Sequence, residues 1–416
     1  MKKTFLLIAV ALAASAVVVM TAGASATATP GVTATSVLLE GTFPLSGPAS
    51  GYAPIPVGMG AYFSYVNAHG GVNGRKITWH YEDDGYNPAN TVQITHKFVE
   101  QDHAFALVGG LGTEPQLAVR DYLNQNKVPQ LFVSTGATTF DRDFGSNPWT
   151  LGWQPDYEAE GAIYGKYVVK NLGSAKIGVL YQNDDYGGDY LRGFKAGLAK
   201  NQTQIVSAQP YDLSATTPPS TQVARLKASG ADTFVILATP TPTIQAYVIS
   251  TKLGWHPAHV ITNSVSATDQ FLTLAAKSGS DNVEGTISVG YTLDPSNPIY
   301  NKQPGMKAYR TIMAKYAPKA NANDGLNLYG VAKAWTTVKV LQAAGKNLTR
   351  ASLMAAARKM AYTPGKKNAN PFLLPGVSMF TNGTFQYPIS QVKIIQYQNH
   401  VFQPVGSLIP GRGALR

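Results

Sequence analysis

Segments with the pattern of β-strands alternate with segments with the pattern of helices along most of this 416-residue chain. The first unit is a strand at 36–42, a loop rich in serine and glycine, a helix at 56–67 and a strand at 77–81. In this last strand apolar side chains alternate with Thr78 and His80, which is the period of two expected of a strand. Strands and helices that alternate in this way indicate parallel sheets with helices on both faces. The sequence therefore predicts an α/β fold.

The number of strands predicts two sheets rather than one. After the first 26 residues are set aside, 416 − 26 = 390 residues remain, and at roughly 100–200 residues per domain this length predicts two domains. No low-complexity linker separates them, so short crossings near 153–156, 283–290 and 379–385 are expected to form a hinge. The further strands are predicted at 104–108, 128–133, 176–181, 204–208, 233–237, 259–262, 392–397 and 401–405.

The first residues have the pattern of a secretory signal peptide. Two lysines precede an apolar run from 5 to 20, and small residues follow at 22–26. The run of about 16 residues is shorter than the roughly 20 that a membrane-spanning helix needs. We therefore expect a signal peptide at 1–26, cleaved after Ala26, with positions 24 and 28 as alternatives. The expected location is the periplasm or the cell exterior.

The side-chain chemistry argues against an enzyme. The sequence has no cysteine, so it offers no disulfide, no thiol nucleophile and no cysteine metal site. It has no nucleophile elbow, phosphate loop or dinucleotide fingerprint. The only close histidine pair, His256 and His259, is interrupted by Pro257, which prevents a helical metal-binding face. The net charge of +11 comes from dispersed residues without a basic stripe. We expect no catalysis, no metal, no cofactor and no nucleic-acid partner.

Polar loops follow the predicted strands at their carboxyl ends, where open α/β sheets bind ligands. Serine, threonine, glycine, asparagine and tyrosine dominate these loops and offer neutral hydrogen bonds, or backbone N–H groups for an anion. The same residue types also cap helices and form turns, so a capping role is an equal alternative for any single residue. As a set they predict a polar cleft. The loops lie at 42–52, 83–86, 109–113, 134–138, 183–186, 239–243 and 263–266.

Five segments, in the same order along the chain, resemble the periplasmic leucine/isoleucine/valine-binding protein family, the type I solute receptors of ATP-driven importers. The segments are PLSGP at 44–48, NAHGGVNG at 67–74, DDGYNP at 83–88, STGAT at 134–138 and NDDYG at 183–187. The resemblance covers about residues 35–408. It implies a Venus-flytrap architecture of two Rossmann-like lobes joined by three hinge strands. Lobe 1 would comprise 35–155 and 286–378, and lobe 2 would comprise 156–285 and 379–408.

The same resemblance implies a ligand site between the lobes and a permease partner. Tyr52 and Tyr186 match aromatic residues that pack on the ligand from opposite lobes, and Thr113 matches a loop that takes its carboxylate. The family pattern implies a monomer that passes its ligand to an ABC transporter permease. The ligand contacts implied are Tyr52, Gly112, Thr113, Ser134, Thr138, Tyr186, Thr239, Asn263 and Ser264.

One departure from the family pattern concerns the charge of the ligand. Amino-acid-binding members place an acidic residue after the strand that matches 259–262, where this chain has Asn263 and Ser264. A buried ammonium needs a paired charge or several good acceptors. Either Glu114 or Asp185 supplies that charge, or the ligand lacks an ammonium. The expected function is capture of a branched-chain or related amino acid. The alternatives are a receptor for aromatic or aliphatic carboxylates and a sensory ligand-binding module.

Overall fold

The computed structural model describes residues 29–142, 144–213, 217–366, 369–382, 386–389 and 391–411. The predicted signal peptide at 1–26, and residues 383–385 of the third predicted crossing, lie outside the described residues. No helix in the described ranges is both long and apolar enough to cross a membrane.

The first half of the chain forms a parallel sheet of five strands in the order β2-β1-β3-β4-β5. Strand β1 pairs with β2 on one side and with β3 on the other, which is the crossover expected of a Rossmann-like lobe. The strands are β1 Ser36–Phe43, β2 Lys76–Asp83, β3 Ala106–Val108, β4 Gln130–Val133 and β5 Thr150–Gly152.

The second half forms a sheet of seven strands in the order β14-β13-β10-β9-β8-β6-β7, in which β13 and β14 are antiparallel. Strands β11 and β12 form a separate antiparallel pair. The strands are β6 Ile177–Gln182, β7 Ile205–Tyr211, β8 Thr233–Leu237, β9 His259–Thr262, β10 Ile287–Gly290, β11 Ala361–Tyr362, β12 Met379–Phe380, β13 Gln391–Gln398 and β14 Val401–Pro410.

Helices cover both sheets, and several of them begin at a residue whose side chain caps the first turn. Asn87 accepts a hydrogen bond from the backbone N–H of Ala89 at 2.9 Å, and Pro88 occupies the first helical position. Asp156 and Asp184 cap α5 and α6 through their carboxylates. The helices are α1 Pro54–Ala68, α2 Pro88–Glu100, α3 Thr113–Gln125, α4 Thr139–Arg142, α5 Tyr157–Asn171, α6 Asp185–Leu198, α7 Ser220–Ala228, α8 Pro240–Lys252, α9 Asp269–Lys277, α10 Pro304–Tyr316, α11 Gly325–Ala344 and α12 Arg350–Ala357.

The predicted α/β fold with two lobes is confirmed, and most element bounds agree within two residues. The helix predicted at 56–67 is α1, which begins earlier at Pro54. The division of the chain between the lobes stays a prediction. Strand β10, Ile287–Gly290, hydrogen-bonds within the second sheet, whereas α11 packs against α1 of the first half.

Candidate ligand-binding cavity

A cavity lies between the two lobes, at the carboxyl ends of their parallel strands. Its walls follow β3, β4 and β5 of the first sheet and β6, β8 and β9 of the second. The space between the lining residues, counted together with the solvent at its mouth, is about 1070 Å³. The loops after the strands therefore meet where the parallel-sheet rule places a ligand site.

Seven of the nine predicted contact residues line this cavity. Thr138 and Asn263 do not. The backbone N–H of Thr138 donates to the Asp189 carboxylate at 2.5 Å and its hydroxyl donates at 3.1 Å, while the Asn263 amide donates to the Tyr186 hydroxyl. Whether any of the nine contacts a ligand stays a prediction. The seven that line the cavity are Tyr52, Gly112, Thr113, Ser134, Tyr186, Thr239 and Ser264.

Tyrosine dominates the lining to an extent that the sequence did not reveal. Burial raises the pKa of these phenols, so their hydroxyls stay protonated and can donate hydrogen bonds at neutral pH. Tyr157 stands edge-on to Tyr186 with ring centroids 5.1 Å apart. Three of the lining tyrosines, Tyr52, Tyr86 and Tyr186, belong to the predicted strand-end loops. The seven lining tyrosines among the described residues are Tyr52, Tyr86, Tyr157, Tyr186, Tyr291, Tyr300 and Tyr329.

The wall from the first lobe combines a helix N-terminus with hydroxyl groups. Gly112 precedes α3 with a φ of +108°, a conformation that favours glycine, and α3 has no side-chain cap. The Gly112 N–H donates to the Ser134 carbonyl at 3.3 Å, and Pro115 has no N–H. The N–H groups of Thr113 and Glu114 are therefore the ones that an anion can reach. The Thr113 hydroxyl lies 2.7 Å from the Thr135 hydroxyl. The Ser134 hydroxyl donates to the Gly109 carbonyl at 2.7 Å.

The carboxylates at the cavity are not the two that the sequence suggested. Neither Glu114 nor Asp185 lines it, and Asp185 accepts a hydrogen bond from Thr139 at 2.9 Å. The lining acids are Asp269 and Asp294, which share the Ser296 hydroxyl. Burial, and after it the neighbouring Asp294 charge, raise the pKa of Asp269 to about 7.

A carboxylate also adjoins Ser264, contrary to the expectation from the local sequence. It belongs to Glu160 in α5 and accepts hydrogen bonds from the Ser264 backbone N–H at 2.8 Å and hydroxyl at 2.7 Å. The Tyr164 hydroxyl donates to it at 2.7 Å. Glu160 is 1% exposed, and burial raises its pKa. Because the Glu160 carboxylate accepts these hydrogen bonds from groups of the protein itself, it holds the Ser264 loop in place. Sequence reasoning missed it because it lies about a hundred residues from Ser264.

Comparisons with known proteins find one family. The family model described as periplasmic binding protein matches residues 42–398. The chain is 26% identical over 158 residues to the Leu/Ile/Val-binding protein homolog 2 of Brucella abortus (strain 2308). The aligned residues cover 38% of this chain and 42% of that protein. The match thus spans less than half of the curated relative's length.

Solved structures share the two-lobe fold over nearly the whole chain. A branched chain amino acid ABC transporter protein from Thermus thermophilus with bound valine has a TM-score of 0.78 at 17% identity, covering 92% of this chain and 97% of that one. A solute binding protein of an ABC transporter from Rhodopseudomonas palustris BisB5, in complex with 3,4-dihydroxy benzoic acid, has a TM-score of 0.73 at 16% identity, covering 91% and 98%. At these identities the likeness shows the fold.

Proposed function

Because the chain belongs to the periplasmic binding protein family, of the leucine/isoleucine/valine-binding type, we propose that it captures a small carboxylate-bearing ligand for an ABC importer. The observation that carries the proposal is the cavity between the lobes, in which hydroxyls and an uncapped helix N-terminus face an aromatic wall. In this role the protein is exported, works without catalysis and passes its ligand to a permease.

The ligand carboxylate is held by the first lobe in this proposal. The N-terminus of α3 presents the backbone N–H groups of Thr113 and Glu114, and the partial positive charge of a helix N-terminus favours an anion. Ser134 lies on the same wall. Thr239 and Ser264 complete the polar contacts from the second lobe.

The body of the ligand packs between Tyr52 and Tyr186. The two side chains come from opposite lobes and are 6% and 2% exposed. Tyr52 also stands edge-on to Phe271, with centroids 6.5 Å apart, so its ring already contacts the second lobe. A ligand between the two tyrosines would favour the closed arrangement of the lobes.

A branched-chain or related amino acid is the first candidate ligand. The curated relatives carry leucine/isoleucine/valine-binding names. Asp269 and Asp294 lie on the cavity lining, where a carboxylate could pair with an ammonium.

An aromatic or aliphatic acid without an ammonium is the second candidate. It is favoured by the tyrosine-rich lining, because tyrosine rings pack well on flat aromatic acids and their hydroxyls serve polar substituents. The Rhodopseudomonas palustris neighbour, bound to a dihydroxybenzoic acid, is consistent with this chemistry.

Matched ligands separate the candidates. Leucine and 4-methyl-2-oxopentanoate differ at the ammonium, whereas leucine and leucinamide differ at the carboxylate. Binding raises the melting temperature of the folded form. We expect leucine, but not leucinamide, to raise it. A rise with 4-methyl-2-oxopentanoate or 3,4-dihydroxybenzoate, without one for leucine, would select the second candidate. Stabilisation by leucinamide with no response to any acid would contradict the carboxylate site. Loss of uptake of the stabilising acid in cells lacking this protein would test the transport role.

A further inference from the structure

A lysine is buried behind the carboxylate wall of the cavity. Lys333 lies in the middle of α11 and is 0% exposed. Its ammonium nitrogen Nζ donates a hydrogen bond to the hydroxyl of Ser134, which lines the cavity. Only one side chain therefore separates the lysine nitrogen from the space in which the ligand is proposed to lie.

The surroundings of Lys333 contain aromatic rings rather than a counter-ion. Nζ lies 4.6 Å from the centroid of the Tyr329 ring and 5.4 Å from that of Trp153. Among the residues that the structure describes, no carboxylate pairs with it, and burial lowers its pKa well below the usual range of lysine. The titratable group that faces it is the Tyr329 phenol, whose pKa burial raises. That phenol stays neutral and leaves the lysine charge unbalanced.

An ammonium in this position lacks partners. It carries three donors, and Ser134 is its one hydrogen-bond acceptor within the described ranges. Rings stabilise a cation less than a paired anion does, and a buried charge without a partner is costly. An anion on the cavity side of Ser134 would supply the missing charge. An oxygen that hydrogen-bonds to the Ser134 hydroxyl would lie within about 6 Å of Nζ, the sum of two hydrogen-bond lengths.

We propose that Lys333 is the buried counter-charge that selects an anionic ligand, acting through the hydroxyl of Ser134. The inference rests on the proposed function in taking the ligand to carry a carboxylate. When the anion binds, the Ser134 hydroxyl turns its hydrogen from the Gly109 carbonyl to the anion while its lone pair still accepts from Nζ. Lys333 is thus a positioning residue that does not touch the ligand. An anion also favours the protonated amine, so binding shifts Lys333 towards its ammonium form.

Lys333→Met tests the role of the charge, because methionine keeps most of the side-chain volume. We expect this variant to bind 4-methyl-2-oxopentanoate or leucine, whichever stabilises the parent, about 10- to 100-fold more weakly, the range for losing a charged hydrogen-bonded partner. Lys339→Met is the matched control. Lys339 lies in the same helix with Nζ 5.4 Å from the Trp335 ring centroid, but it is partly exposed. Parent-like affinity in the folded Lys333→Met variant would overturn the inference.

NMR of the lysine side chains gives a second test, which uses the parent protein and requires no substitution. In the parent protein labelled at lysine Cε and Nζ, we expect the Lys333 signal to move towards the ammonium position when acetate or the stabilising acid is added, while Lys339 stays unchanged. A Lys333 signal that stays constant with the acid bound would overturn the inference and leave the proposed function standing. If acetate and every tested amino or aromatic acid leave the signal unchanged and fail to bind, but inorganic phosphate still moves it, the proposed carboxylate ligand fails and the counter-charge stands.

Discussion

At the scale of single residues, burial decides which groups in the cavity carry charge. Asp269 and Asp294 lie close together, and no lysine, arginine or histidine of the described residues forms an ion pair with either. Burial is the main reason that both pKa values are raised. Two carboxylates that share a hydroxyl cannot both ionise at low cost. The pair therefore tends to hold a proton until an external cation arrives, which is the behaviour expected of a site for an ammonium.

Asp269→Asn tests the proton held by this pair. The folded pKa of about 7 lies above the ordinary 3.8, so the folded state binds more protons than the unfolded state between about pH 4 and pH 7, and stability falls as pH rises through that window. We expect the free energy of unfolding, measured in urea at pH 5 and pH 8, to depend less on pH in the variant, by about 2 kcal/mol.

Asp281→Asn is the control for this measurement. Asp281 is exposed and its pKa lies below the ordinary value, chiefly because of the Thr251 hydroxyl. Its contribution therefore changes below pH 4, outside the measured range. An equal difference between pH 5 and pH 8 in the parent and in Asp269→Asn would contradict the assignment of a shared proton.

At the scale of elements, close packing of α5 against α6 holds two of the cavity tyrosines together. The helices meet through glycines on both sides, and an added Cβ at any of four positions would come within 2.0–2.4 Å of a backbone atom of the partner helix. Tyr157 begins α5 and Tyr186 lies in the first turn of α6, so this contact fixes their edge-on pair. The four glycines are Gly161, Gly165, Gly193 and Gly197.

Gly193→Ala tests the helix contact. Its Cβ would lie 2.0 Å from the Glu158 carbonyl oxygen, so the helices must separate. We expect a loss of about 1–3 kcal/mol in the free energy of unfolding in urea. Gly188→Ala, in the same helix, is the control, because its Cβ meets only the flexible end of Arg192 at 3.3 Å. It should leave stability unchanged or raise it by about 0.5–1 kcal/mol through helix propensity. Equal effects of the two substitutions would argue against a close contact.

At the scale of the whole molecule, hydrogen bonds across the cleft join the lobes around the cavity. Thr138 follows β4 of the first sheet, and its backbone N–H and hydroxyl both donate to Asp189 in α6. Nearby, the Thr139 hydroxyl donates to Asp185. Because these contacts join the two halves of the molecule, we expect them to stabilise a closed arrangement of the lobes and hence to raise apparent affinity. Thr138 could therefore influence binding without touching a ligand.

Thr138→Val tests this link between closure and affinity. The substitution keeps the side-chain shape and removes one donor to Asp189, which should cost the closed state about 1 kcal/mol. We expect an affinity about fivefold lower for the acid that stabilises the parent, and incomplete compaction by small-angle scattering at a concentration that closes the parent. Thr311→Val, on the surface of α10, is the control. Absence of ligand-dependent compaction in the parent would contradict the clamshell mechanism.

Local pattern was sufficient to predict the fold and much of the cavity wall. Strand and helix periods are properties of neighbouring residues, and the carboxyl ends of parallel strands must share an edge, so the sequence placed Tyr52, Gly112, Thr113 and Tyr186 in loops that do meet. The pattern cannot tell a ligand contact from a contact within the protein, and Thr138, which the sequence predicts at the ligand, donates to Asp189 instead.

The charges around the cavity depend on packing between distant segments. Glu160 reaches Ser264, and Asp269 meets Asp294 across a loop, although no sequence spacing links these pairs. One local feature of the sequence indicates that Lys333 is buried: it lies in a helix that is apolar on nearly every side. Which neighbour it meets depends on how α11 lies against the first sheet. The sequence alone therefore determines the helices and strands and their order. The tertiary structure decides how deeply each charged side chain is buried, which group it contacts and whether it is protonated, because these properties depend on every segment packed around that side chain.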